Sequence, residues 1–176
     1  GLSVAHAQPP AQPPAQPPAQ PPATTPPQPP PATTTEPATT TDEDKGEVFV
    51  GAGDIAGTPW TQDGATATLV SGIPGTVFTL GDNAYPNGTA AEFGNYYDPT
   101  WGAFKERIFP AIGNHEYYTP GAEGYFGYFG ARAGPDRRGY YSFDYGGWHF
   151  ISLNSVVDIT SQSEQYRWLK SDLETA

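Results

Sequence analysis

The chain has 176 residues, enough for one domain of ordinary size and an additional segment. It contains no cysteine, which excludes both a disulfide framework and a thiolate metal site. The formal net charge of −11 at pH 7 argues against nucleic acid as a partner, because phosphate backbones attract basic surfaces.

The first 46 residues are predicted to lie outside the globular domain. Residues 1–7 end in Ala-His-Ala, the small-x-small pattern that precedes signal-peptide cleavage, and we interpret them as a signal-peptide remnant. Residues 8–46 are rich in Pro and Thr and nearly free of branched apolar side chains, which predicts a disordered spacer. We therefore expect a secreted or cell-envelope protein, with envelope association through the spacer. No apolar run reaches the roughly 18 residues of a membrane span.

Residues 47–176 are predicted to form the globular domain. Three apolar runs in its first half, EVFVGAGD, TVFTLGD and FPAIGNHE, each end in glycine followed by a polar residue. These polar residues are Asp54, Asp82 and Asn114, and the segments between them are long enough for crossovers. The pattern predicts an α/β fold with a mostly parallel sheet.

The intervening and following segments predict two helices and a hairpin. Residues 61–71 are expected to form a short helix, and residues 98–109 a second one with Asp98 as its N-cap. Aromatic and small residues between 138 and 155 predict two strands joined at Gly146 and Gly147.

A last helix is predicted over residues 161–176. Ser161 and Glu164 have the spacing of a capping box. One face of this helix is expected to pack on the sheet, and it consists of Tyr166, Leu169 and Leu173.

The three polar junctions are expected to meet in space. In an open parallel sheet, ligands bind beyond the carboxyl ends of the strands, where the loops converge. Tyr85, His115 and Glu116 follow two of the junctions closely. Carboxylate, amide, phenol and imidazole groups together suit hard or borderline cations such as Mn²⁺, Fe or Zn²⁺.

The motifs resemble a known superfamily. GDI at 53–55, GDNAY at 81–85 and GNHE at 113–116 look like the first three motifs of the calcineurin-like metallophosphoesterases. Asp82 followed by Tyr85 resembles the purple acid phosphatase branch. The resemblance implies an αββα sandwich with mostly parallel strands and a site with two metal ions, Fe with Zn, Mn or a second Fe.

Carried over to this sequence, the resemblance implies specific roles. Asp82 would bridge the two metals, Asp54 and Tyr85 would bind one of them, and Asn114 the other. His115 would contact the substrate, a small phosphate ester, and Glu116 would orient His115. The implied function is a secreted dinuclear-metal phosphoesterase that hydrolyses phosphate monoesters.

The sequence also departs from the family pattern. Position 56 is Ala, where much of the superfamily has a ligand histidine. Three further ligand histidines of the family have no counterpart here, because His6 lies in the signal remnant and His149 is interpreted as a strand-face residue. We therefore expect residues 47–176 to be the N-terminal part of a catalytic domain, incomplete at the C-terminus and inactive alone.

One alternative stays open at this point. A phosphatase-derived fold that has lost its metals would be a non-catalytic surface binding module on a proline-rich stalk. Val-x-x-His and Gly-His-x-His segments further along the reading frame would favour the enzyme.

Overall fold

A computed structural model describes residues 47–59 and 62–176 of the chain. The predicted signal-peptide remnant, residues 1–7, and the predicted spacer, residues 8–46, lie outside the described residues. Within the part that the structure describes, no helix has both the length and the apolar character needed to cross a membrane.

The centre of the fold is a parallel sheet of three strands in the order β1-β2-β3. The strands are β1 (Phe49–Ala52), β2 (Thr76–Thr79) and β3 (Ile108–Phe109). The middle strand is the most buried, and its Val77 pairs with Val50 on one side and Ile108 on the other. The prediction of an α/β fold with a parallel sheet is confirmed, and the αββα sandwich stays a prediction.

The first crossover contains the predicted helix α1 (Gln62–Ser71), which buries Ala67 and Val70. Its C-terminal end is tied to the segment before β3 by one side chain. The Arg107 guanidinium donates to the carbonyl oxygens of Val70, Ile73 and Gly75 over 2.7 to 2.9 Å. Val70 lies in the last turn of α1, whereas Ile73 and Gly75 follow the helix, so this arginine fixes the helix end and the turn after it to the segment before β3.

The second crossover differs from its prediction. The capping box of Thr89 and Glu92 starts a short helix, α2 (Ala90–Glu92), which continues as a π-helical turn over Phe93–Tyr97. Asp98 ends this turn instead of starting a helix, because its amide donates to Phe93 O. The next helix is a 3₁₀ helix, Trp101–Arg107.

Aromatic side chains from this crossover pack into the core. The helix α3 (Glu123–Phe129) supplies the opposite side of the cluster. Ring centroids of neighbouring members lie 5.1 to 6.3 Å apart, the spacing of favourable aromatic pairs. The buried members are Phe93, Tyr97, Trp101, Tyr125 and Phe129. Short 3₁₀ helices connect the elements around this core at His115–Tyr118, Pro120–Ala122, Gly130–Ala133 and Pro135–Arg137.

The predicted hairpin is confirmed. The strands β4 (Tyr141–Tyr145) and β5 (Trp148–Ser152) pair antiparallel and form a separate two-stranded sheet. The two-residue turn is Gly146-Gly147, and both residues have positive φ angles, 57° and 78°. This backbone matches the twist of the flanking strands and is open to glycine at little cost.

The last helix, α4 (Glu164–Leu173), is shifted and rotated relative to its prediction. Its N-cap is Ser163, not Ser161, because the Ser163 hydroxyl accepts from Tyr166 N. The predicted inward face is largely exposed, with Tyr166 at 45% and Leu173 at 57%. The side chains that contact the domain are Gln165, Trp168 and Asp172.

A histidine joins the hairpin to α4. The two ring nitrogens of His149, on β5, each lie 2.8 Å from a carboxylate, Nδ1 from Asp144 and Nε2 from Asp172. Asp172 also accepts from the Ser142 hydroxyl over 2.6 Å. A carboxylate can only accept, so this arrangement needs a proton on both nitrogens. The hydrogen bonds to Asp172 and Asp144 raise the pKa of His149 above its ordinary value.

The contacts of His149 with Asp144 and Asp172 predict that stability depends on pH. Because the folded-state pKa is raised, the stabilisation is complete below the unfolded-state value of about 6.5 and is lost as pH rises through the folded-state value. We expect the urea midpoint of the protein to fall over that range relative to the midpoint of His149→Gln. Parallel midpoints for the two proteins from pH 5 to 9 would contradict the ion pair.

Candidate metal centre

Asp54 and Asp82 lie side by side because the parallel pairing continues beyond the strands. The amide of Asp54 donates to Gly81 O over 3.2 Å, and the amide of Ile55 donates to Asp82 O over 3.0 Å. Both aspartates have left-handed backbones, with φ of 53° and 50°. This conformation is uncommon outside glycine and concentrates at functional sites. The first two predicted site residues are thus brought together at the carboxyl edge of the sheet.

The Tyr85 hydroxyl contacts both carboxylates. It donates to Asp54 Oδ1 in a short hydrogen bond, and it lies 3.2 Å from Asp82 Oδ2. Burial raises the pKa of Tyr85, and the hydrogen bond to Asp54 and the negative charges of both aspartates raise it further. One phenolic proton therefore lies between two carboxylates, at a point where a cation would compete with it.

The other oxygen of Asp82 faces the loop after β3. Asp82 Oδ1 accepts from the amide of His115 over 2.9 Å. This contact requires glycine at position 113, since a Cβ there would lie 2.2 Å from Asp82 Oδ1 and 2.3 Å from Asp82 N. The glycine before the third motif therefore permits the close approach of the two loops.

The Glu116 carboxylate joins the same two loops. It is fully buried and accepts from the amides of Asp82, Asn83, Ala84 and Gly113 at distances of 2.6 to 3.3 Å. Burial raises the pKa of the Glu116 carboxyl above its ordinary value, and the amide hydrogen bonds from Gly113, Asn83 and Ala84 oppose that rise. The side chain thus crosslinks the loop after β2 to the loop after β3 by hydrogen bonds.

This arrangement gives Glu116 a different role from the predicted one. The His115 ring is held by Pro86, whose carbonyl oxygen lies 2.7 Å from Nδ1. Glu116 instead has backbone amides as its partners, because its side chain points into the core while that of His115 is partly exposed. The His115 ring lies between two tyrosine rings, with centroid distances of 4.4 Å to Tyr85 and 4.7 Å to Tyr118.

The two asparagines of the motifs occupy different positions. Asn114 is exposed, and its amide nitrogen lies 3.5 Å from the hydroxyl of the solvent-exposed Tyr118. Asn83 is fully buried and donates to Ala111 O over 3.0 Å, which adds a second tie between the loops. The sequence pattern alone indicates no more for Asn83 than a part in shaping its turn.

The donor set suits a hard cation. Asp54, Asp82 and Tyr85 present carboxylate and phenol oxygens at one point, and Asn114 lies on the adjacent turn. Such oxygens are typical ligands of iron, manganese and zinc. Residues 47–59 and 62–176 contain no group of three or more His, Cys, Asp or Glu side chains that could hold a metal ion. The oxygens that this edge of the sheet offers to a cation therefore include a phenol and an amide besides the two carboxylates, and they fit part of a metal shell.

Comparison with known proteins gives a consistent result. No family model matches the chain. Purple acid phosphatase 18 of Arabidopsis thaliana is 32% identical over 143 residues, which cover 71% of this chain and 30% of the relative. Purple acid phosphatase 15 of the same plant is 28% identical over 152 residues, covering 69% and 28%. Purple acid phosphatase 23 is 37% identical over 87 residues, covering 42% and 19%.

The chain belongs to the purple acid phosphatase-like metallophosphoesterases. The resemblance carried by the three motifs is thereby confirmed at the level of the family. This family generally uses a dinuclear metal centre, often Fe with Zn or Mn. The chain spans less than a third of the length of these relatives, and they do not favour the alternative of a non-catalytic binding module.

The contribution of the Glu116 hydrogen bonds to the stability of this phosphatase-like domain can be tested by one isosteric change. In Glu116→Gln, a donor NH₂ replaces one acceptor oxygen and faces backbone amides, so buried donors lose their partners. We expect the free energy of unfolding to fall by about 2 to 4 kcal/mol, even though glutamine avoids burying a charge. Urea denaturation measures the change.

Glu106→Gln is the matched control. Glu106 forms an ion pair of 2.7 Å with Arg132, and its side chain is 88% exposed. Loss of this ion pair should lower the free energy of unfolding by less than about 1 kcal/mol. Equal losses in the two variants would contradict the special role of Glu116.

Proposed function

We propose that the protein is a metal-dependent phosphoesterase that hydrolyses phosphate monoesters. The observation that carries this proposal is the convergence of Asp54, Asp82 and Tyr85 at the carboxyl edge of the sheet, next to a partly exposed His115. A bound metal pair would supply a water of lowered pKa and neutralise charge that develops on the phosphoryl group. The remaining chemistry falls to the side chains of the chain itself.

The proposed bridging role of Asp82 is supported by the directions of its two oxygens. Oδ2 faces Tyr85, which also contacts Asp54, whereas Oδ1 faces the turn that carries Asn114 and His115. A carboxylate with oxygens directed to two different sides can hold two cations. We propose Asp54 and Tyr85 as ligands on the first side and Asn114 as a ligand on the second.

His115 is the proposed acid or phosphoryl-binding residue. Because Nδ1 faces the carbonyl oxygen of Pro86, that nitrogen carries a proton. Nε2 is then the atom that faces a substrate. It can donate to a phosphoryl oxygen or protonate the departing alkoxide when the ring is charged. The contact with Pro86 and the flanking tyrosine rings hold the imidazole in one orientation.

We also propose that these four ligands are completed by others. The resemblance implies three more histidine ligands, and a site with only a shared carboxylate and an amide oxygen on its second side would bind that metal weakly. Activity is therefore proposed for the domain together with such further ligands. Secretion is proposed from the Ala5-His6-Ala7 pattern, and envelope association from the composition of residues 8–46.

The metal roles of Asp82 and His115 are separable. In protein that carries the full ligand set, Asp82→Ala should remove both metals, because one carboxylate is proposed to bridge them. His115→Ala should keep both metals and lower kcat by about 10² to 10⁴, the usual range for acid–base catalysis. Elemental analysis with steady-state kinetics measures both effects.

Asp98→Ala is a suitable control, since that carboxylate accepts from Tyr128 and lies outside the motifs. It should leave metal content and turnover unchanged. Two metals retained in Asp82→Ala would refute the bridging role.

The Tyr85 ligand predicts a colour. If the phenolate binds Fe³⁺, iron-loaded protein should show a visible charge-transfer band. Tyr85→Phe should remove this band without loss of folded structure, because the ring remains and only the hydroxyl is lost. Absorption spectroscopy with circular dichroism tests this. A band unchanged in Tyr85→Phe would assign the colour to another residue.

A further inference from the structure

We propose a second anion-binding site, separate from the candidate metal centre, in a cavity of about 400 Å³ beside the N-terminal end of α4. Three arginines line it, Arg137, Arg138 and Arg167. The chain has only eight lysines and arginines in total and a net charge of −11, so this concentration of guanidinium groups is local. The ligand class is a phosphate group, either as free orthophosphate or as part of a phosphate ester.

The other described basic side chains lie outside this cavity. The Arg107 guanidinium is used by three backbone carbonyls. Arg132 pairs with Glu106, and the Lys105 ammonium lies 4.0 Å from the centre of the Tyr128 ring. Three of the five described arginines therefore line this one cavity.

The present partners of Arg138 and Arg167 can be exchanged for a ligand. Arg138 pairs with Asp136 over 3.1 Å, and these side chains are 42% and 70% exposed. Exposed pairs of this kind contribute little stability, so a bound oxyanion can replace the aspartate. The Arg167 guanidinium donates to Gln162 O, a neutral acceptor. Arg138 and Arg167 come from different elements and supply donors that suit phosphate oxygens.

Arg137 serves mainly to fix one wall. It pairs with Glu123 over 2.9 Å and lies 5.0 Å from the centre of the Phe126 ring. These contacts hold the backbone turn from which Arg138 projects. The Glu123 carboxylate balances the charge of Arg137.

The floor of the cavity is rigid. The buried Asn154 side chain donates to Tyr117 OH over 2.8 Å and to Arg138 O over 2.9 Å. Gln165, also buried, exchanges two hydrogen bonds with the backbone of Asn154. Tyr117, the loop of Arg138 and the start of α4 are thus fixed to one another before any ligand binds, which lowers the entropic cost of binding.

Two carboxylates also line the cavity, Asp158 and Glu164, and their negative charges oppose the binding of an anion. Asp158 accepts from Thr160 N within its own loop, and this hydrogen bond lowers its pKa, so it is ionised at neutral pH. Three guanidinium groups face these two carboxylates, and the ion-paired Glu123 and Asp136 add two further negative charges beside Arg137 and Arg138. A phosphate group would therefore bind by replacing Asp136 and by hydrogen bonds from the guanidinium groups, not through an excess of positive charge. The site should therefore take one phosphate group and should bind it less tightly at high salt.

The experiment is isothermal titration calorimetry of metal-free protein with orthophosphate and, separately, with glycerol phosphate. Metals are removed on a chelating resin, because a dissolved chelator is itself an anion. We expect saturable binding in at least one titration, weakened about tenfold by Arg138→Gln and by Arg167→Gln. Binding of orthophosphate alone assigns a free ion, and binding of both compounds assigns a phosphate group of a larger molecule.

Arg132→Gln is the matched control, since it removes the same charge from an exposed pair elsewhere. It should leave the dissociation constant unchanged. Absence of binding to both compounds would overturn the proposal, as would an equal loss in the control. Urea midpoints of all three variants check that each is folded. Because no metal is present, the result is independent of the proposed phosphoesterase activity.

Discussion

The candidate centre depends on one buried carboxylate that accepts from the backbone of two loops. Glu116 holds the amides of Asp82, Asn83, Ala84 and Gly113, and so it fixes the segment after β2 against the segment after β3. Asp82, Asn83 and Gly113 lie outside the strands, and parallel strand pairing alone does not determine the positions of the side chains in these two loops. The carboxylate supplies the missing constraint, because hydrogen bonds to a buried charge are strong and directional.

The positions of the other groups around Asp82 depend on these Glu116 hydrogen bonds. With the loops fixed, Gly113 can approach Asp82, and the His115 amide reaches Asp82 Oδ1. The continued pairing between the loops after β1 and β2 then brings Asp54 to the other side. Three loops thus converge on Asp82. Its Oδ2 contacts the Tyr85 hydroxyl, and its Oδ1 contacts the His115 amide. A site that orders cations and a phosphate ester needs this kind of preorganisation.

The sheet and its polar edge are predictable from the sequence because both arise from local patterns. An apolar run that ends in glycine and an acid or amide marks the end of a strand and the polar residue after it. The role of Glu116 is not predictable in the same way. An acid next to a histidine suggests a partner for that histidine, and only the path of the backbone shows that it faces amides some 33 residues away.

The last helix shows the same limit. Two sets of residues share helical spacing, and the more apolar set, which contains Tyr166 and Leu173, is expected to face inward. The buried set contains Gln165 instead, whose polar partner Asn154 lies 11 residues earlier on the loop after β5, so hydrophobicity alone selects the wrong face. Asp98 illustrates a third case, since Asp-Pro is a good start for a helix but a π-helical turn already extends to that point.

The most direct test of the centre is anomalous diffraction from crystals of the protein loaded with Zn²⁺. The proposed site predicts a zinc ion bonded to an Asp82 oxygen at about 2.0 to 2.2 Å, the usual zinc–carboxylate distance. Asp54 or Tyr85 should complete the same shell on the Oδ2 side. Zinc bound elsewhere in the protein, with the Asp82 carboxylate uncoordinated, would contradict the account.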